Sequence, residues 1–269
     1  MISLCPLTVL PCSALHQMEF AARAGFDAVG IRLVPVLPTD IDVMSDKVLR
    51  DALLKRLSDL TLEVLDIELV RIAPDTDVQA LEPMLQFAAD LGARSITVTG
   101  PAANDFSPDD EARIVVKLTE LCELANRYNV KPGLEFMPFR GISSLDSALR
   151  YLSFCKHPNL GIVLDLLHFC RSGGTPDDLE KLSPDIVTSI QLCDAPAIAP
   201  PDLAKEARYH RLLPGAGGLL LREILKALSP DIPLSVEVPD TNRTDRPGLD
   251  KALGAMSASR ELLRSIGRA

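Results

Sequence analysis

No two of the chain's six cysteines stand in a C-x-x-C spacing; Cys5, Cys12, Cys122, Cys155, Cys170 and Cys193 are scattered singly. That excludes the common cysteine zinc motifs and argues against a disulfide frame, and it fits reduced, mostly buried thiols of a cytoplasmic protein. Long hydrophobic runs are missing too: nothing approaches the roughly 18 uninterrupted apolar residues that a membrane span requires. The apolar start, MISLCPLTVLPCSALH, has no basic segment ahead of it and is broken by Pro6 and Pro11, so it reads as a strand and not as a signal peptide. Basic charge is in deficit, with 28 Lys and Arg against 37 Asp and Glu and a net charge of −9. Nothing in that balance suits nucleic acid or an anionic membrane surface. Histidine is scarce as well, at four residues.

What is present is the material of one large core. The 269 residues are 47% hydrophobic and 24% charged, and a length of this order admits either two small domains or one α/β barrel. One theme recurs: an amphipathic helix, a short turn, then an apolar strand. It appears at 16–33, 50–69, 82–100 and 115–136. Gly25 and Gly92 fall where a helix ends in a left-handed residue, and Asn129 can take the same part. Ser107-Pro108-Asp109-Asp110 and Thr175-Pro176-Asp177-Asp178 carry the signature of a helix start.

The pattern predicts strands over 2–9, 27–33, 62–69, 95–99, 132–137, 160–165, 186–193 and 232–238. Helices are predicted over 13–24, 46–59, 77–91, 108–129, 143–156, 175–183, 217–228 and 247–266. Continuous apolar strands alternating with helices mean a parallel sheet covered by helices. Eight such units favour closure into a (β/α)8 TIM barrel, a single domain over 1–269. In that architecture the chemistry lies at the C-terminal strand ends.

Four polar residues sit at those ends. Glu135 closes PGLEF, Asp165 closes LGIVLD, Gln191 lies in VTSIQL and Glu237 in LSVEV. A buried carboxylate or amide is costly without a partner. Three carboxylates and an amide oxygen converging on one spot call for a cation between them, and a divalent metal is the simplest one. Oxygen-only ligation suits Mn²⁺, with Mg²⁺ and Co²⁺ as alternatives; zinc more often recruits His or Cys. The competing structural reading pairs these acids with Arg32, Arg71 or Arg211. His168 follows Asp165 by three residues, and a short turn there aims both side chains at one cavity. Arg211 precedes a glycine-rich turn in RYHRLLPGAGG, which has the makings of a phosphate cradle at a helix N-terminus. Arg32 and Arg71, after the second and third strands, add positive charge at the same mouth, and together the arginines hint at an anionic substrate.

At these residues the chain resembles the xylose isomerase-like TIM barrels, a group that includes ketose 3-epimerases, inosose dehydratase and 3-dehydroshikimate dehydratase. The matching pieces are LEFMPF around Glu135, LDLLH as a D-x-x-H segment, IQLCDAP around Gln191, RLLPGAG as R-x-x-P-G-x-G, SVEVP around Glu237, and the early AARAGFDAVGI. The resemblance implies that Glu135, Asp165, Gln191 and Glu237 hold one divalent ion and that His168 and Arg211 contact substrate oxygens. It also brings the habit of homo-oligomers. Two departures stand out: Gln191 replaces the histidine of many sugar epimerases, and Arg32 stands where an acid is common. Both shift weight towards a carboxylate-bearing substrate. The endonuclease IV branch is excluded, because its trinuclear zinc site needs more histidines than this chain has.

The expected function is a metal-dependent isomerase or epimerase of a sugar or similar hydroxy-ketone, with Glu135 and Glu237 as the catalytic pair abstracting and returning a proton through a metal-stabilised enediolate. A dehydratase sharing the first step is the alternative, and a non-catalytic metabolite-binding barrel is the second.

Overall fold

The apolar runs that end in polar residues lie side by side. The computed structural model describes residues 1–36, 40–180, 182–239 and 246–268, with the side chains of Pro108 and Pro184 left aside. Eight parallel strands close a barrel in chain order: β1 (Ile2–Leu4), β2 (Ala28–Arg32), β3 (Glu63–Arg71), β4 (Ser95–Thr99), β5 (Lys131–Glu135), β6 (Gly161–Asp165), β7 (Val187–Leu192) and β8 (Leu234–Val236). Closure of β8 onto β1 leaves no edge strand. Eleven α-helical segments are found among the described residues: α1 (Pro6–Val9), α2 (Ala14–Ala24), α3 (Lys47–Leu60), α4 (Glu82–Asp90), α5 (Glu111–Asn126), α6 (Leu145–Cys155), α7 (Leu166–Arg171), α8 (Pro176–Leu179), α9 (Leu203–Tyr209), α10 (Leu221–Ala227) and α11 (Gly248–Ser265). The expected single-domain TIM barrel is the observed fold. No described helix is long and apolar enough to cross a membrane.

Alternation along the strands builds the core. Val29 and Ile31, Ile96 and Val98, and Ile162 and Leu164 are all fully buried, two residues apart and therefore on one face of each strand. Helices cover that face with apolar stripes at helical spacing, such as Leu118, Leu121, Cys122 and Ala125 of α5. The helix ends follow the chemistry of the sequence. Ser13 caps α2, Gly25 ends it at φ +79°, and Ser144 and Ser147 form a capping box at α6. Gly92 (φ +70°) and Asn129 (φ +56°) take the left-handed conformation expected of them.

Three differences from the sequence expectation matter for the site. The first strand stops at Leu4, because Pro6 has no N–H for a ladder and instead starts the short helix α1. Within the helix predicted over 175–183 only α8 is helical among the described residues; position 181 lies outside them. Two further helices lie outside the expected set: α7 follows β6 without a loop, and α9 stands in the long connection after β7, started by Asp202, whose side chain accepts from Lys205 N.

Strand register sets the mouth of the barrel. Arg32 pairs with Glu68, Arg71 with Thr99, Thr99 with Glu135, and Asp165 with Gln191. The polar tips therefore form one layer at the C-terminal end.

Candidate active site

Glu135 ends β5 and Asp165 ends β6. Gln191 stands one residue before the end of β7. Glu237 directly follows β8, with its N–H donating to Leu192 O at 3.1 Å. All four are buried, at 1–4% exposure. Glu135, Gln191 and Glu237 line one pocket together with His168 and Arg211. Asp165 is fully covered, its Oδ2 lying 2.5 Å from Arg211 Nη1.

The D-x-x-H segment is helical, and Asp165 makes it so. Its Oδ1 accepts from His168 N at 2.9 Å, the N-cap of α7. One carboxylate thus starts the helix with one oxygen and meets Arg211 with the other. The cap turns His168 towards β5, with Nε2 3.9 Å from Glu135 Oε1 and the ring edge-on to Phe139 at 5.4 Å between centroids.

Arg211 lines the same pocket as Glu135 and Glu237 and is buried among acids. It is 3% exposed, and its Nη1 lies 2.5 Å from Asp165 and 3.3 Å from Glu237 Oε2. Its Nε donates to Ala207 O at the end of α9, and α9 is tied to α7 by a bidentate Arg171–Glu206 pair at 2.7 and 2.8 Å. Part of the countercharge expected between the acids is therefore this guanidinium.

The glycine-rich turn after Arg211 is a cradle, but its guest belongs to the chain. Asp194 Oδ2 accepts from Gly215 N and Gly217 N, and Oδ1 accepts from Leu219 N and Ala195 N. Backbone bonds between Asp194 and Leu212 at 2.8 and 2.9 Å complete the tie. A Cβ on Gly217 would run into Ala195 O and the Asp194 carboxylate. The expected phosphate cradle is thus filled by Asp194. It fixes the R-x-x-P-G-x-G segment on the tip of β7 and so fixes Arg211.

Two of the four expected donors have unmet needs that a divalent ion would fill, whereas both oxygens of Asp165 are already engaged. Gln191 Oε1 is buried without a hydrogen-bond partner, and Glu237 Oε2 has only the Arg211 contact. Ligand atoms of Glu135, Asp165 and His168 lie within 4.8 Å of one another, as do those of Cys5, Glu68 and Glu237. Burial pushes the Glu135 carboxyl well above its ordinary range, with Glu237 and Asp165 adding to the effect. Burial likewise lifts Glu237 to about 8, against the pull of Arg211. For Asp165 burial works upward too, but Arg211 and His168 outweigh it and hold the group low. Burial lowers His168 to about 4, so its ring is neutral at physiological pH.

A model of the xylose isomerase-like TIM barrels matches residues 18–266. The chain belongs to that family. It is 27% identical over 238 residues to a 3-dehydroshikimate dehydratase of Pseudomonas aeruginosa, covering 83% of this chain and 36% of that protein. It is 32% identical over 113 residues to an inosose isomerase of Halalkalibacterium halodurans, covering 41% of this chain and 39% of that one. The chain thus matches well under half the length of these curated relatives. In fold it is similar to the IOLI protein, whose crystal structure has a bound zinc atom, with a TM-score of 0.85, 19% identity and 98% of both chains covered.

In this xylose isomerase-like barrel the expected arginine contacts divide. Arg32 lines the pocket, but its Nη1 and Nη2 are engaged by Asp40 and Glu68, each at 3.0 Å. Arg71, the last residue of β3, lines the pocket with no side-chain hydrogen bond or ion pair among the described residues. Sequence reasoning missed Glu68, whose Oε1 accepts from Cys5 Sγ at 3.0 Å, and Asp66, which burial raises to about 7 with help from Glu68. The signal was present: two acids two apart in the apolar run VLDIELV put both on one strand face. Gly30 leaves room for Asp66, since a Cβ there would stand 2.7 Å from its Oδ1.

These shifts give the barrel a pH signature. Above about pH 7.5 His168 is neutral folded or unfolded and contributes no slope; nearer pH 6.5 the unfolded ring still holds part of a proton, so His168 offsets some of the fall there. Glu237 at about 8 and Asp66 at about 7 still hold protons in the metal-free fold that the unfolded chain, near 4.5 and 3.8, has released. Stability must then fall as pH rises from 6.5 through 8. A divalent ion competes with those protons and flattens the slope. Thermal midpoints from pH 6.5 to 8.5, with EDTA and with saturating Mn²⁺, check this; a flat EDTA profile would count against the buried protons.

Proposed function

We propose that the chain is a divalent-metal-dependent isomerase or epimerase of a sugar-like hydroxy-ketone, working by proton transfer beside the carbonyl. The observation that carries this reading is the pair of buried carboxyls, Glu135 and Glu237, lining one pocket on strands three apart in the barrel order. Glu135, Asp165, Gln191 and Glu237 would hold the ion, and Mn²⁺ suits their oxygens best, with Mg²⁺ and Co²⁺ close behind. When bound, the ion polarises the substrate carbonyl and acidifies the neighbouring C–H.

The chain's own residues do the rest. One of Glu135 and Glu237 takes the proton and the other returns it; return to the opposite face gives an epimer, and return to the next carbon gives an isomer. As ligands of the ion, both carboxylates are ionised and so available as bases at neutral pH but weak ones, so the ion must also acidify the substrate C–H. His168, neutral and fixed through the Asp165 cap, offers a ring N–H to a substrate oxygen. Arg211 keeps Asp165 and Glu237 from repelling each other.

A second reading, a dehydratase, is favoured by the similarity to the Pseudomonas aeruginosa 3-dehydroshikimate dehydratase over 83% of the chain. It shares the first proton abstraction, after which a β-hydroxyl departs as water with the proton that the abstracting glutamate has gained, while the neutral His168 ring N–H holds the leaving oxygen by a hydrogen bond. Proton NMR in D₂O decides between them, with Mn²⁺ substoichiometric and a panel of ketohexoses, hydroxypyruvate, an inosose and 3-dehydroshikimate. Deuterium entering beside a carbonyl with an isomeric product supports the first reading, and loss of water supports the second. Absence of both across the panel, with metal demonstrably bound, would sink both readings for these substrates.

A further inference from the structure

We propose that the substrate of this pocket carries an anionic end group, a carboxylate or phosphate, received by Arg71, Arg140 and Arg208. The inference rests on the reading that the pocket is the reaction site, and it names the class of substrate that site takes. The three cations come from separate parts of the fold. Arg71 ends β3, Arg140 lies in the connection after β5, and Arg208 is on α9, yet all three line the same pocket as Glu135 and Glu237.

The partners of the five pocket arginines separate them into two groups. Arg32 and Arg211 are neutralised by buried acids. Arg71, Arg140 and Arg208 make no side-chain hydrogen bond or ion pair among the described residues, and Arg140 Nε is buried without an acceptor. Arg140 does not simply drift in solvent, for its N–H donates to Met137 O at 2.8 Å and its backbone bridges to Ala102. Burial lowers its affinity for a proton, and the positive fields of Arg71 and Arg208 lower it further, opposed by Glu135 and Asp105. A half-buried Arg140 thus faces two exposed like charges, Arg71 and Arg208, across one pocket, and an anion relieves their repulsion. Guanidinium forks match the two oxygens of a carboxylate or phosphate.

Polarity across the pocket gives the substrate a direction. Glu135, Asp165 and Glu237 carry the charge at the strand tips, and the unpaired arginines carry the opposite sign. The acids at the tips are matched by Arg211 and by the bound ion, whereas Arg71, Arg140 and Arg208 have no side-chain acid partner among the described residues, so these three hold the anionic end group and leave the carbonyl for the tips. Leu69, Met137 and Phe139 supply apolar wall for the carbon skeleton.

The test is isothermal titration of the metal-loaded protein with inorganic phosphate, benzoate and the neutral isostere benzamide. Wild type should bind at least one anion well ahead of benzamide, and Arg140→Met should weaken that binding about tenfold or more. Arg208→Gln, at an exposed helical position, should weaken it in the same direction and guards against a misfolded Arg140 variant. Phosphate outbinding benzoate assigns the end group as phosphate, and the reverse order as carboxylate. Anions that bind no better than benzamide, or bind the two arginine variants as tightly as wild type because they ligate the metal, would overturn the proposal. Failure of the catalytic reading shows separately: no ketone exchanges its proton, while the anion titrations are unaffected.

Discussion

Replacing Glu135 or Glu237 with glutamine should lower turnover by about a thousandfold at saturating metal, since a positioned acid–base group contributes roughly 10²–10⁴. Glutamine keeps the shape and the carbonyl oxygen but cannot take a proton. Both side chains are buried, at 3% and 4% exposure, so the pocket keeps its packing. The two variants should also differ from one another in a way that a structural role would not produce. In a two-base epimerisation, the variant that loses the returning base still washes deuterium into the substrate from one face without forming epimer, whereas the variant that loses the abstracting base does neither. The double variant should be little worse than the poorer single one, because groups acting on one proton path are not additive. Rates within tenfold of wild type for either variant, measured with metal bound, would remove that glutamate from the chemistry.

Arg211→Met should be the most damaging single change to the metal-free fold. It removes the countercharge 2.5 Å from Asp165 and 3.3 Å from Glu237 and leaves the acids buried together. Breaking a buried pair by deleting one partner costs about 3–5 kcal/mol, which in a chain of this size is a fall in Tm of order 10 °C. Methionine fills much of the same volume, so the loss is electrostatic before it is steric. A divalent ion restores positive charge at the same place. The increase in Tm on adding Mn²⁺ should therefore be larger in the variant than in wild type. An Arg211→Met protein as stable as wild type in EDTA would mean that the acids are neutral there and need no cation.

The strand tips were legible because burial leaves few alternatives for an acid at the end of an apolar run. Glu135, Asp165, Gln191 and Glu237 each stood out against Leu, Ile and Val, and the barrel followed from counting the runs. Arg211 was legible as a residue of interest but not in its depth. Its position depends on Asp194, seventeen residues earlier, accepting from backbone amides of a turn, and no local pattern records such a bond. Arg140 and Arg208 were missed for a related reason. They stand in connections, where arginine is ordinary, and only the folded chain shows that these two and Arg71 line one pocket with no side-chain ion pair among the described residues. Glu68 and Asp66 could have been found from their spacing of two, had the strand been read face by face rather than by its end.

The tie made by Asp194 has a consequence for how such a barrel can change. From Gln191 to Leu219 the two ends of the segment are tied by backbone amides around a single carboxylate, and the segment carries an amide oxygen and a guanidinium to the pocket as a preassembled cassette. Arg71, at the tip of β3, and Arg140, in the connection after β5, take no part in that scaffold. Substrate preference can therefore be rewritten by exchanging those segments, while a recombination boundary placed inside the cassette would separate Arg211 from the residue that aims it.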